Sequence, residues 1–253
     1  RVPDVKKITN AMIKKGWVCS QKDIINDHVA FRTLGVHNLG IESFEKIFLQ
    51  HGYEKKEFYS FKAKKLDAYW YAPPTGNLPR IFISELRVSD LSVKAQQIIH
   101  KYTNSIKSDP VNSIDLNKPS EVIEFFEKPL WKLPTLEDYN ELLSESEYAA
   151  WVIYNRYYLN HYTISVHELP HGYDRLEKFN AFLSELNIKL NDAGGVIKTS
   201  KDGLLLQSSS VAEMITAAFT GNQIQKIAGS YVEFAERKVL EEFQDLDSGL
   251  IKD

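Results

Sequence analysis

Two stretches of this chain, about residues 26–90 and 161–240, run through the same succession of elements, and that repetition limits the folds open to it more than any single motif. In the first, "HVAFRT" reads as a strand and "IESFEKIFLQHGY" as a helix ending at Gly52. "KKEFYSFKA", "LDAYWYAPP" and "PRIFISELRV" follow as three strands, with the turn "PPTGNLP" between the last two. In the second, "HYTISVHEL" is a strand and "YDRLEKFNAFLSELN" an amphipathic helix with Leu176, Phe179, Phe182, Leu183 and Leu186 on one side. "GGVIKTS", "DGLLLQSSS" and "GSYVEFAERK" complete it as strands, with a helical "VAEMITAAF" before the last. Each copy is βαβββ. The halves share element order and not residues.

The rest of the chain surrounds these modules. "PDVKKITNAMIKKGW" carries Val5, Ile8, Met12 and Ile13 at helical spacing, with Gly16 suited to the C-terminal cap. Residues 91–160 are helical and aromatic, broken at "SDPVN", "NKPSE" and "KPLWKLP". Within them, residues 138–158 lack Gly and Pro and predict one long helix. The expected architecture is α+β: a single domain, 1–253, in which a helical insertion separates the two modules.

Composition excludes some classes of function. Net charge is −3, which argues against a protein built to grip nucleic acid by its phosphates. No apolar run is long enough to span a bilayer, and "RVPDVKKITN" has no signal-peptide core. The one cysteine, Cys19, cannot form an internal disulfide, which fits a reducing cytoplasm. The chain begins at Arg1 and not Met, leaving room for a native N-terminal segment, a targeting peptide included.

A strand sends alternate side chains to opposite faces. In "NDHVAFRT", His28, Ala30 and Arg32 share one face, against Val29, Phe31 and Thr33. In "HYTISVH", His161, Thr163, Ser165 and His167 align, and in "SYVEFAER" so do Tyr231, Glu233, Ala235 and Arg237. Glu236 falls with Val232 and Phe234, an assignment that reverses if the strand bulges. Glu85 and Arg87 share a face with Ile81 and Ile83. The first strand of each module thus opens with a histidine, and the last carries a glutamate. If the modules pair face to face, His28, His161 and Glu233 converge. Two imidazoles and a carboxylate form the facial triad that suits non-haem Fe(II) and leaves positions open for substrate and O2. Zinc would take the same ligands, and so would Mn(II). Of seven histidines, His37, His51, His100 and His171 read as surface residues, while His167 competes with His161 for a metal.

Taken together, "DHVAFRT", "NHYTISV" and "GSYVEFAER" resemble the 2-oxoadipate dioxygenase/decarboxylase family, also called hydroxyglutarate synthases, across most of the chain. The resemblance implies a fold related to the vicinal oxygen chelate superfamily (glyoxalase-like, built from paired βαβββ modules). It implies Fe(II) held by His28, His161 and Glu233, and a substrate carboxylate bound by Arg32, which a guanidinium fork suits. The implied reaction is the O2-dependent decarboxylation and hydroxylation of a 2-oxo acid, 2-oxoadipate becoming 2-hydroxyglutarate in lysine breakdown. A purified sample could carry Zn, Ni or Mn in place of iron. The segment "TSKDGLLLQSSS" departs from the larger members, and there Gln207 and Ser208 either offer hydrogen bonds to substrate or form an ordinary strand edge. A structural ion pair of Arg32 with Glu85 is the competing account of that arginine. Two other functions fit the same scaffold: a glyoxalase-like isomerase or hydrolase using another metal, and a non-enzymatic module that sequesters small molecules.

Overall fold

The computed structural model describes residues 2–239. In chain order these form α1 (Pro3–Lys14), β1 (Asn26–Leu34), α2 (Ile41–Phe44), α3 (Lys46–Gln50), β2 (Glu54–Phe61), β3 (Leu66–Ala72), β4 (Arg80–Leu86), α4 (Val93–Thr103), α5 (Pro119–Glu127), α6 (Leu136–Glu145), α7 (Glu147–Asn155), β5 (Leu159–Ser165), α8 (Leu176–Glu185), β6 (Lys198–Thr199), β7 (Leu205–Ser209), β8 (Met214–Ala218), β9 (Ile224–Ala228) and β10 (Tyr231–Arg237). The class is α+β, and strand, helix and strands recur in both halves as the element order predicts. Residue 240, the expected end of the second module, lies outside the described residues. Among the described residues no helix is long and apolar enough to cross a membrane.

The elements gather into two compact units that are discontinuous in sequence. The first takes residues 2–28, 161–213 and 229–239. Its strands run β5-β10-β7-β6, with β10 parallel to β5 and antiparallel to β7. Alternation gives β10 one apolar face, Val232 and Phe234, both fully buried. Against it pack Ile164 of β5, Ile8 and Met12 of α1, and Phe179 and Leu183 of α8 in one core. The opposite face of β10 carries Glu233.

The second unit takes residues 29–160 and 214–228. Its strands run β2-β3-β4-β1, with antiparallel β2/β3 and β3/β4 pairs. Helices α2 to α7 and the β8/β9 hairpin share its core, which includes Phe31, Phe44, Ile83, Ile99 and Trp151. At Gly40, φ is +94°, and a Cβ there would run into the Glu85 carboxylate, which accepts the Ile41 N–H at 2.8 Å and so caps the start of α2.

Three local expectations change. The long helix over 138–158 is two helices, because Ser146 adopts an extended backbone and its hydroxyl accepts the Ala149 N–H at 3.1 Å, capping α7. The stretch "VAEMITAAF" is not helical: its residues 214–218 form β8, paired with β9 around Gly221 and Asn222, both at positive φ as a tight hairpin demands. The strand opened by His161 ends at Ser165, and His167 sits in a short 3-10 turn.

Candidate metal centre

Three strands of the first unit place the three donors. His28 closes its share of β1, His161 lies on β5 and Glu233 on β10. The parallel β5/β10 register sets Tyr231 beside His161 and Glu233 beside Thr163, so the glutamate is two pairs further along the ladder than the histidine. One Glu233 carboxylate oxygen, Oε2, lies 3.5 Å from His28 Nε2 and 3.6 Å from His161 Nε2. The imidazoles meet edge-on with centroids 5.5 Å apart. Donor atoms of all three residues lie within 4.8 Å of one another. Ligands about 2.1 Å from a shared ion stand about 3.0–3.4 Å apart in octahedral or tetrahedral geometry. The two spacings from Glu233 Oε2, 3.5 and 3.6 Å, need only a small contraction, and the donor set of two imidazoles and a carboxylate fits a divalent cation.

Electrostatics ready the carboxylate for that use, while on His28 they set a proton in competition with a cation. Burial works against ionisation of Glu233, but the neighbouring His161 and His28 overcome it and hold the carboxyl at about 2. Burial likewise opposes charge on His28, and the hydrogen bonds and charges of Asp27 and Glu233 outweigh it, leaving the imidazole above its ordinary value. An anionic carboxylate beside two imidazoles is a ready cation ligand set. The Tyr231 ring, 4.8 Å from that of His161, backs the second imidazole.

The other residues singled out in the sequence divide. Gln207 reaches the site, its Nε2 donating to Glu233 Oε2 at 3.4 Å. Ser208 does not. It pairs with Phe234 in the β7/β10 ladder, points to the opposite face and donates to Asn180 Oδ1 of α8 at 2.7 Å, buried. The substrate contact expected of it is therefore withdrawn, since neighbouring strand residues cannot share a face. Glu236 is buried on that same far side, where it accepts from Arg175 at 2.8 Å and from the Leu176 N–H at 2.7 Å, capping α8. The glutamate facing the histidines is Glu233. His167 is not among the clustered donors; its Nδ1 accepts the Arg237 backbone N–H at 3.2 Å. Arg87 is tied to Asp67 and Asp90.

Arg32, in the second unit, pairs with Glu147 and not Glu85: its Nη1 lies 3.1 Å from both carboxylate oxygens. The rings of Tyr148 and Trp151 flank the guanidinium at 4.9 and 5.2 Å. The Glu147 side chain is 56% exposed and that of Arg32 only 17%.

The strand patterns passed over two further groups. Asp27 bonds His28 Nδ1 through Oδ1 at 2.8 Å and Arg237 Nε through Oδ2 at 2.6 Å. Thr163, beside Glu233 in the ladder, places its hydroxyl 2.9 Å from His28 Nε2. An acid directly before a strand histidine was the available signal for Asp27. For Arg237 it was a cation four residues beyond Glu233 on the same face.

The sequence profile of the 2-oxoadipate dioxygenase/decarboxylase family matches residues 1–247. A curated relative from Arabidopsis thaliana, 2-oxoadipate dioxygenase/decarboxylase, chloroplastic, is 42% identical over 238 residues, covering 90% of this chain and 62% of its own length. This chain therefore spans less than two thirds of that relative. Among solved structures, hydroxyglutarate synthase from Oryza sativa in complex with 2-oxoadipate superposes with a TM-score of 0.89 at 40% identity, covering 100% of this chain and 82% of the other. A structure from Ralstonia eutropha JMP134 named for the glyoxalase superfamily gives a TM-score of 0.76 at 20% identity, covering 93% of this chain and 77% of the other, a likeness of fold alone. Together they bear out the expected vicinal-oxygen-chelate-like fold.

Proposed function

Because the chain belongs to the 2-oxoadipate dioxygenase/decarboxylase family, we propose that it converts 2-oxoadipate and O2 to 2-hydroxyglutarate and CO2, using Fe(II) held by His28, His161 and Glu233. The observation that carries this reading is the cluster of two imidazoles and one carboxylate, His28 buried and the other two partly buried, with donor atoms within 4.8 Å of one another. Three protein ligands leave positions for a bidentate 2-oxo acid and for O2, which is the arrangement that non-haem iron oxygenases need. When bound, the ferrous ion supplies a chelation point for the oxo acid and the electrons that begin the reduction of O2.

The residues of the chain perform the rest. Glu233 contributes one negative charge against the dication, while the imidazoles bind as neutral donors and must shed any proton first. Gln207, donating to Glu233, restrains the carboxylate so that one oxygen faces the histidines. The balance is simple: a six-carbon oxo diacid gains both atoms of O2 and loses one CO2, leaving the five-carbon hydroxy diacid.

For Arg32 we propose recognition of a substrate carboxylate, as the family resemblance implies. Tyr148 is anchored, its hydroxyl accepting the Thr33 N–H at 3.1 Å and donating to the Ser84 carbonyl at 2.9 Å, so it helps hold the guanidinium in place. Glu147 is the exposed partner, free to yield to an incoming carboxylate. Arg32→Met should lower kcat/KM for 2-oxoadipate by about 10–150-fold, the equivalent of one charge-assisted hydrogen-bonded contact of ~1.5–3 kcal/mol. Metal affinity should not change. Steady-state kinetics beside a metal titration check both halves, and weakened metal binding would show that Arg32 acts on the fold instead.

The compartment proposed is a reducing one, the cytoplasm, which suits the exposed free Cys19. A chloroplast, as the Arabidopsis relative's name gives for that protein, is the competing compartment. Localising the full-length tagged protein in its native cells decides between them.

The experiment that tests the function is O2 consumption on adding 2-oxoadipate to protein loaded anaerobically with Fe(II). Uptake matched one to one by CO2 and 2-hydroxyglutarate, and lost in His28→Ala, is the expected result. Turnover with zinc or nickel and no O2 uptake would replace it with an isomerase or hydrolase. Oxo-acid affinity that survives in His28→Ala, with no turnover under any metal, would make the protein a binding module.

A further inference from the structure

We propose that Asp27, braced by Arg237, is the positioning residue of the metal centre: it presets which nitrogen His28 offers and clips together two of the strands that carry ligands. The inference rests on the metal reading above and on contacts confined to the first unit. The Asp27 side chain is 1% exposed and that of Arg237 10%. Both aspartate oxygens are engaged. Oδ1 meets His28 Nδ1 at 2.8 Å and Arg237 Nη2 at 3.1 Å, while Oδ2 meets Arg237 Nε at 2.6 Å.

A neutral imidazole has one N–H and one lone pair. A carboxylate can only accept, so at Nδ1 it demands the N–H there and sends the lone pair to Nε2. Nε2 is the nitrogen 3.5 Å from Glu233 Oε2, on the side of the donor cluster. In the other tautomer that position would carry a hydrogen and no lone pair. Carboxylates in this relation to a ligating histidine orient the ring and raise its basicity.

Arg237 adds a second constraint. It stands four residues beyond Glu233 on β10, and Asp27 stands one residue before His28 on β1. A guanidinium fork holding a carboxylate through two nitrogens has little freedom of approach. The pair therefore fixes the distance between the strands that supply the first and third ligands. Stability alone is a poor reason for burying it, because a buried ion pair is often no more stabilising than apolar residues of the same volume.

Asp27→Leu tests the tautomer. It removes both carboxylate oxygens at similar side-chain volume, so nothing at Nδ1 holds an N–H, and the Glu233 carboxylate 3.5 Å from Nε2 draws the hydrogen there. Two readouts apply. The 15N shifts of the His28 ring in metal-free protein, under conditions where the ring is neutral, should report Nδ1–H in the wild type and Nε2–H in the variant. Anaerobic Co(II) titration, followed by its visible absorption, should show about 10–100-fold weaker binding. A folded Asp27→Leu protein with the wild-type tautomer and a Kd within about twofold of wild type overturns the proposal. If Asp27→Leu does not fold, Arg237→Lys carries the test, keeping the charge but losing the fork. It should retain the Nδ1–H tautomer and bind Co(II) more weakly, and an unchanged Kd there refutes the clip between strands. Wild-type protein that shows the Nδ1–H tautomer but binds no divalent metal would fail the metal reading, while the ring shifts still decide whether Asp27 sets the tautomer.

Discussion

Replacing His161 with alanine is expected to leave the protein folded and to weaken its hold on a divalent metal by about 10²–10³-fold. Structural metal sites gain roughly 10–16 kcal/mol from four ligands, about 2.5–4 kcal/mol for each, and each 1.4 kcal/mol is a factor of ten. In the ligand set proposed above His161 is one of three donors, so its loss should also abolish the proposed oxygenase turnover. The cost to the fold is small by comparison. The side chain is 13% exposed and its main ring neighbour is Tyr231, a contact worth about 0.5–1.5 kcal/mol. The parallel pairing of β5 with β10 runs through the backbone and survives the change. Anaerobic Fe(II) titration alongside thermal unfolding separates the two effects. Stoichiometric iron retained by His161→Ala would remove His161 from the ligand set.

Phe234→Ala should do the reverse. Phe234 follows Glu233 directly but points to the other face of β10, where it is fully buried, with its ring 5.1 Å from that of Phe179. Truncating it removes most of a ring from the core that joins α1 and α8 to the strands, and close-packed surroundings refill such a gap only in part. The expected loss is about 3–5 kcal/mol, a large share of the ~5–15 kcal/mol that holds a typical domain. Tm should fall by about 6–20 °C. Metal affinity, measured well below the transition, should stay near that of the wild type because the donors lie across the sheet. Urea unfolding gives the first quantity and titration the second. A loss under about 1 kcal/mol would mean that the core collapses around the gap with unusual ease.

These two variants divide what local pattern can show from what it cannot. The separation of Glu233 from Phe234 is legible in "SYVEFAER", because the side-chain period of a strand is two and needs no knowledge of neighbours. The same rule placed His28, His161 and Glu236. Gln207 and Ser208 do not share a task, because adjacent strand residues face opposite ways. The break at Ser146 comes from its own side chain, which caps α7, and a continuous apolar period across the junction conceals it. In "VAEMITAAF" helical propensity lost to a hairpin turn at Gly221 and Asn222. The partner of Arg32 was out of reach because Glu147 lies 115 residues away.

The residues alone determined the strand–helix–strand sequence that opens each module, the faces on which His28, His161 and Glu233 stand, and the family. Only the tertiary structure decided that Glu233 and two particular histidines meet, that His167 does not join them, and that Asp27 and Arg237 stand behind His28. The reason is physical. Alternation is set within a strand by its own backbone, whereas strand order and register come from hydrogen bonds between segments far apart in the chain. In this chain those bonds put Glu233 of β10 beside Thr163 of β5.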